Sequence, residues 1–137
     1  MTKPSFTVSH VFLPVDDIDK ALEFYQGVLG FTLVNDVSMP EFRWVTISAP
    51  GRPGVEIVLE PTGMGRSPAD GDLRAQLLAR GALASMIFQT DDVDAAFEHI
   101  RASGAEVLQE PIQQPYGRDF AFRDPCGNHL RFSGPPA

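Results

Sequence analysis

One stretch of this chain occurs twice. Residues 15–25, VDDIDKALEFY, return as residues 90–100, TDDVDAAFEHI, at a constant offset of 75 that superposes Asp16 on Asp91, Asp17 on Asp92, Asp19 on Asp94, Ala21 on Ala96 and Glu23 on Glu98. A β-like run precedes each copy, and a glycine turn with further strand-like sequence follows it. A strand-helix-strand unit cannot bury its apolar face alone, so two copies must pack together or against another chain. Any site between them then draws residues from both.

The 137 residues, 43% of them hydrophobic, suit one domain with a shared core and no need of disulfides or structural metal. The expected division is two modules, about 1–60 and 82–137, joined by a linker at 61–81. A formal net charge of −7 without a local basic patch argues against nucleic acid or an anionic membrane as partner and favours cationic ligands. No run approaches the roughly 20 apolar residues of a membrane span, and MTKPSFTVSH lacks an apolar targeting core, so a cytoplasmic protein is expected. The single cysteine, Cys126, can form no internal disulfide.

The first module reads β-α-β-β-β. Phe6 to Val15 alternates as a half-buried strand, with Pro14 suited to an edge. Asp16 or Asp17 offers a helix N-cap, and Ile18, Ala21, Leu22, Tyr25, Val28 and Leu29 form one apolar face closed by Gly30. Strands are expected at Phe31–Val37, Phe42–Ala49 and Val55–Leu59, with Pro50, Gly51, Pro53 and Gly54 turning between the last two. The second module repeats the order. A strand at Ala84–Thr90 leads to a helix carrying Val93, Ala96, Phe97 and Ile100, closed by Gly104. Strands at Glu106–Gln109, Asp119–Arg123 and Asn128–Phe132 follow, the last two joined by a turn at Asp-Pro-Cys-Gly-Asn, 124–128. In the linker, Asp72–Arg80 reads as a short helix with Leu73, Leu77 and Leu78 on one side, placed to cover a groove.

These motifs resemble the vicinal oxygen chelate superfamily of glyoxalases, bleomycin-resistance proteins and extradiol dioxygenases. The carriers are His10 with VDDIDKALEFY and Leu-Gly-Phe at 29–31, then TDDVDAAFEHI, Gly-Ala-Glu-Val at 104–107, Pro-Tyr-Gly at 115–117 and Phe-Arg-Asp-Pro-Cys-Gly-Asn at 122–128. The resemblance implies an α+β fold in which two βαβββ modules form a curled mixed sheet around a cleft, often completed by dimerisation. It also implies four metal-ligand positions. His10 fills the first, but its counterpart at the 75-residue offset is Ser85, and the carboxylate implied four residues after Gly127 is Arg131. The first-module equivalent is Val58, although Glu56 and Glu60 share its strand face. At an effective dielectric of 20, a divalent ion about 4 Å from an unpaired guanidinium is disfavoured by on the order of 8 kcal/mol, and arginine offers no lone pair.

The leading expectation is therefore a metal-independent homodimer, without cofactor, that sequesters a small organic molecule. Its cleft candidates are His10, Trp44, Glu56, Tyr116, Phe122 and Arg131. Trp44 offers a face for a flat or cationic ligand, and Arg131 with Glu56 offers polar recognition or a structural ion pair. The alternative is a glyoxalase-like lyase, isomerase or dioxygenase whose zinc, nickel, manganese or iron ion sits on His10, Glu56 and Glu60. Metal-free proton transfer by His10 or Glu56 is a third course. Core packing is the plainer account of Trp44, Phe120 and Phe122, capping that of the paired aspartates, and surface exposure that of His99. His129 shares the face of Arg131 near the turn. Cys126 reads as an inert, exposed thiol.

Overall fold

The computed structural model describes residues 2–51 and 54–137. Its elements run β1 His10–Val15, α1 Ile18–Leu22, which widens into a π-helical turn over Glu23–Val28, β2 Thr32–Ser38, β3 Arg43–Ser48, β4 Glu56–Pro61, α2 Pro68–Ala79, β5 Ser85–Gln89, α3 Val93–Arg101, β6 Glu106–Gln114, β7 Gly117–Arg123 and β8 His129–Gly134. They make two four-stranded mixed sheets of identical order, β1-β4-β3-β2 and β5-β8-β7-β6. In each, the first strand runs parallel to the last, and the others pair antiparallel. The repeat is thus a structural repeat.

The acidic pairs act as helix caps in both copies. Asp17 accepts from the amide of Lys20 and Asp92 from that of Ala95, each at 3.1 Å. Asp16 instead pairs with Lys20 at 3.0 Å. Gly30 and Gly104 take φ of 74° and 88°, the left-handed turn that ends each helical segment. In the π-helical turn the Leu29 amide donates to Phe24, five residues back, and this extra residue per turn rotates Phe24 onto the buried face while leaving Leu22 half-buried.

Several boundaries differ from the expected ones for physical reasons. Strand β1 begins only at His10, because β4 offers its first register partner there, His10 against Glu56; Phe6 and Val8 are exposed. Pro14 is accommodated because β1 is an edge strand. Strand β6 runs on to Gln114, past Pro111, because it too lies on an edge and follows β7 through two irregularities in register. Helix α2 starts at Pro68, with Ser67 accepting from the Asp70 amide at 3.2 Å; serine at the cap and proline in the first turn were the signal. Of its leucines only Leu78 is buried, Leu73 and Leu77 being exposed. Pro53, expected in the β3–β4 turn, lies outside the described residues.

One hydrophobic cluster joins the modules, with Leu13, Val15, Tyr25, Ile47 and Leu59 from the first and Phe97, Phe120, Phe122, Leu130 and Phe132 from the second. Polar contacts cross the same seam, the first two buried and the third at the surface. The Tyr25 hydroxyl donates to Asp124 at 2.6 Å, the Asn128 amide to the Pro14 carbonyl at 2.8 Å, and the His99 ring bonds the Val28 carbonyl at 2.7 Å. His99 is therefore a bridge between modules, and Cys126 is buried at that seam, not exposed as expected. Burial, then the hydrogen bond to Asp16, pushes its thiol up to about 12.

Candidate functional site

Alternation along the strands turns one set of side chains to the helices and leaves the other on the opposite sheet face. In the first module Leu13, Val15, Val45, Ile47, Ile57 and Leu59 enter the core, so His10, Phe12, Trp44, Thr46, Glu56 and Val58 share the other face. His10 and Glu56 are register partners, with Nε2 and Oε1 3.7 Å apart. Glu56 Oε1 accepts from Thr46 Oγ1 at 2.6 Å and Asn35 Nδ2 at 3.2 Å, while His10 Nδ1 bonds Ser9 Oγ at 2.9 Å. The Trp44 ring lies 6.2 Å from His10 and 6.5 Å, edge-on, from Phe12. Three candidates therefore come together: an anchored carboxylate, an imidazole and an indole.

Glu60 does not join them. It is buried at the far end of β4, where Arg74 Nη2 lies 2.9 Å and Arg66 Nη2 3.5 Å from its oxygens, and four residues of strand separate it from Glu56, about 13 Å. Arg74 also donates to the Thr62 carbonyl at 2.8 Å, so α2 closes over the Glu60 end of the strand. Among the described residues no three His, Cys, Asp or Glu side chains are grouped to hold a metal ion. The implied ligand positions, His10, Val58, Ser85 and Arg131, supply one good donor, and that set does not fit a divalent ion.

The second module presents Ser85, Ile87, Asp119, Ala121, His129, Arg131 and Ser133 on the equivalent face. Phe122 is not among them: fully buried, it packs 5.3 Å from Phe97 on the helix side, because even-numbered residues of β7 face α3. Arg131 does not pair with Glu56. Its Nη1 donates to Asp119 Oδ2 at 3.0 Å and to Gln109 Oε1 at 3.2 Å. Asp119 has no exposed surface and accepts also from Tyr116 OH at 2.5 Å, Gln109 Nε2 at 2.9 Å and Gln114 Nε2 at 3.3 Å. Burial pushes this carboxyl up, but the hydrogen bonds from Tyr116, Gln109, Arg131 and Gln114 outweigh it and hold it at about 2. The bond to Asp119 raises the Tyr116 phenol in turn.

Asp119 escaped the candidate list. It stood in the sequence as the one carboxylate on the face of β7 opposite Phe120 and Phe122, and a buried carboxylate demands donors. His129 pairs in register with Ser85, its Nε2 buried without a hydrogen-bond partner; burial, then Arg131 and Arg123, lowers its pKa. Both faces remain open, with Phe12, Val37, Ile87 and Ile112 exposed. A surface cavity of about 750 Å³ adjoins the second face at Gln89, Tyr116 and Ser133. A second, of about 650 Å³, runs along the seam between Phe31, Ile87, Phe88 and His99.

Known proteins share this arrangement. The Glyoxalase/Bleomycin resistance protein/Dioxygenase superfamily model matches residues 7–132. The crystal structure of UcmS2 superposes with a TM-score of 0.87 at 32% identity, over 95% of this chain and 98% of that one. TnmS3, an antibiotic binding protein from Streptomyces sp. CB03234, gives a TM-score of 0.75 at 28% identity, over 98% and 99%. A lactoylglutathione lyase of Haemophilus influenzae is 30% identical over 91% of this chain and 90% of its own length.

Proposed function

From the premise that the chain belongs to the Glyoxalase/Bleomycin resistance protein/Dioxygenase superfamily, we propose that it binds a small organic molecule without a metal, as a homodimer. The carrying observation is Arg131. Where the family resemblance implies a metal-binding carboxylate stands a guanidinium fixed by a buried aspartate, and a guanidinium has no lone pair to offer a metal. Trp44, Phe12, His10 and Glu56 supply an aromatic and polar surface on the other module. The antibiotic-binding activity of TnmS3 agrees with such a role. A second copy is the natural cover, because each face leaves apolar side chains in water and forms only one wall of a cleft.

The competing reading is a metal-dependent lyase, isomerase or dioxygenase. The facing of His10 and Glu56 favours it, as does the similarity to lactoylglutathione lyases. A bound divalent ion would supply electrophilic activation of vicinal oxygens. Protein purified without an affinity tag, analysed for zinc, nickel, manganese and iron before and after incubation with each, separates the two. The proposal expects no stoichiometric ion and undiminished ligand-induced quenching of Trp44 in chelator. One ion per chain, lost in His10→Ala, overturns it. Sedimentation at micromolar protein should give twice the 15.0 kDa chain mass, and a species of 15.0 kDa alone removes the dimer.

A further inference from the structure

The arginines of this chain differ in which edge of the guanidinium they use. Arg43 turns its Nε and Nη2 side-on to the two oxygens of Asp36, at 2.9 and 2.8 Å. Arg118 does the same to Asp94, at 3.2 and 2.9 Å, and Arg101 sets both nitrogens on one oxygen of Glu98, at 3.0 and 2.6 Å. This edge carries two parallel N–H bonds and is the geometry in which arginine best receives a carboxylate. Arg131 holds its protein partners otherwise. Both Asp119 and Gln109 are met by Nη1 alone, and its Nε–H and Nη2 hydrogens have no acceptor among the described residues.

The bracing of Arg131 uses only one of its nitrogens. Asp119 accepts from Tyr116, Gln109 and Gln114 as well as from Arg131 Nη1, so the guanidinium is oriented and charge-paired while its Nε–H and Nη2 hydrogens stay unused among the described residues. Its surroundings combine these polar groups with an exposed aliphatic side chain. Arg131 lies in register between Ile87 on β5, which is 71% exposed, and Ala121 on β7, a side chain too small to cover it. The Arg131 side chain itself is 29% exposed, and two residues along β8 Ser133 borders the cavity of about 750 Å³ beneath Tyr116.

We propose that the unused Nε/Nη2 edge of Arg131, on the sheet face that carries Ile87, is a receptor for the carboxylate of an aromatic acid. The assignment rests on the small-molecule reading of this face and narrows it to one ligand class. The planar anion takes the two N–H bonds of the fork, and the ring lies on Ile87. Asp119, Gln109 and Gln114 are positioning residues that touch the arginine, not the ligand. A purely structural Arg131, stapling β8 to β7 and β6, would need the Asp119 contact and would leave its fork to water, so the two roles part at the fork.

The matched probes 2-naphthoate and 2-naphthamide share size and ring and differ in charge. Titrated at pH 7 by calorimetry and by the arginine Nε–H signals in ¹H–¹⁵N spectra, the wild-type protein should bind the acid about tenfold more tightly than the amide and should shift the Arg131 Nε–H signal with the acid alone. Arg131→Gln strands the buried Asp119, so the variant to compare is Arg131→Gln combined with Asp119→Asn, which removes both charges and leaves no buried carboxylate unpaired. It should retain amide affinity and lose the preference for the acid. Equal affinities in the wild-type protein, or a preference that survives in the double variant, overturn the carboxylate receptor and leave a neutral-ligand cleft standing. Failure of both probes to bind at millimolar concentration overturns the receptor, while quenching of Trp44 by other small molecules decides the small-molecule reading separately.

Discussion

Removing one hydroxyl at the seam between the modules, by Tyr25→Phe, tests how they are held together. Tyr25 has no exposed surface, and its hydroxyl donates at 2.6 Å to Asp124, itself 3% exposed. The other acceptor sites of Asp124 are taken by the amides of Cys126, Gly127 and Asn128 and by the Asn128 side chain. Tyr25→Phe leaves that carboxylate one donor short, and a hydrogen bond to a charged group contributes about 1.5–3 kcal/mol. A loss on the order of 2 kcal/mol is expected in urea denaturation at neutral pH and fixed protein concentration. For a chain of 137 residues this is about 7 °C in Tm, at ~2.1 cal/mol/K of unfolding entropy per residue. Burial first, then the Asp124 charge and hydrogen bond, raise the Tyr25 phenol well above its ordinary range. A raised folded pKa gives stability that is complete below about pH 10, where the unfolded phenol ionises, and is lost as pH climbs toward the folded value. The gap between wild type and Tyr25→Phe should therefore narrow above about pH 10. The buried Cys126 thiol adds its own alkaline loss to both proteins, so the difference between the curves is the quantity to read. A Tyr25→Phe protein within 0.5 kcal/mol of wild type, roughly the scatter of a neutral surface substitution, with a parallel pH curve, would refute the buried seam.

Asp119 makes the opposite prediction. Its carboxyl is held at about 2, so its contribution is complete above the ordinary carboxylate range, near pH 4, and is lost as pH falls toward 2. Asp119→Asn should be less stable at pH 7 and lose less between pH 4 and pH 2, as acid titration followed by circular dichroism would show; identical acid limbs would contradict the socket. At Gly127, φ is 122° and a Cβ would overlap the Leu78 carbonyl oxygen. Gly127→Ala combines backbone strain with a clash against α2 and should cost about 3 kcal/mol or more, whereas Gly63→Ala, with nothing within 4 Å, should fall within about 0.5 kcal/mol of wild type in the same urea experiment.

The fold was legible because the repeat states it twice. Asp17 and Asp92 cap equivalent helices, Gly30 and Gly104 end them, and the 124–128 turn closes its hairpin where expected. What escaped the sequence depends on distant pairing. Strand β1 loses Phe6 to Ser9 because β4 begins opposite His10, a fact of register that no local pattern encodes. Phe122 and Tyr116 looked alike as cleft aromatics, yet parity along β7 sends Phe122 into the core while Tyr116 hangs over Asp119. His10, Trp44 and Glu56 were legible as a group, since alternation alone puts them on one face. The partner of Arg131 was not: Glu56 stood out as the carboxylate of the implied ligand strand, and Asp119 becomes visible only once β7 is laid against β8.

The two faces are equivalent in backbone and opposite in chemistry. Register carries His10 onto Ser85, Glu56 onto His129, Val58 onto Arg131 and Trp44 onto Asp119. At each of the four positions one module has what the other lacks: imidazole against hydroxyl, acid against base, aliphatic against cation, aromatic ring against carboxylate. Had both modules carried a histidine on the first strand and a carboxylate on the last, a pair of faces could have shared an ion. With Arg131 in one wall and Trp44, His10 and Glu56 in the other, a cleft made from both walls offers a planar anion receptor opposite an aromatic surface with an acceptor beside it. An elongated ligand acidic at one end and donating hydrogen bonds or positive charge at the other satisfies both walls at once, and reversing it sets carboxylate against Glu56. Under the proposed small-molecule role, the divergence of the repeat would give the ligand a direction that a symmetrical pair of modules would leave undetermined.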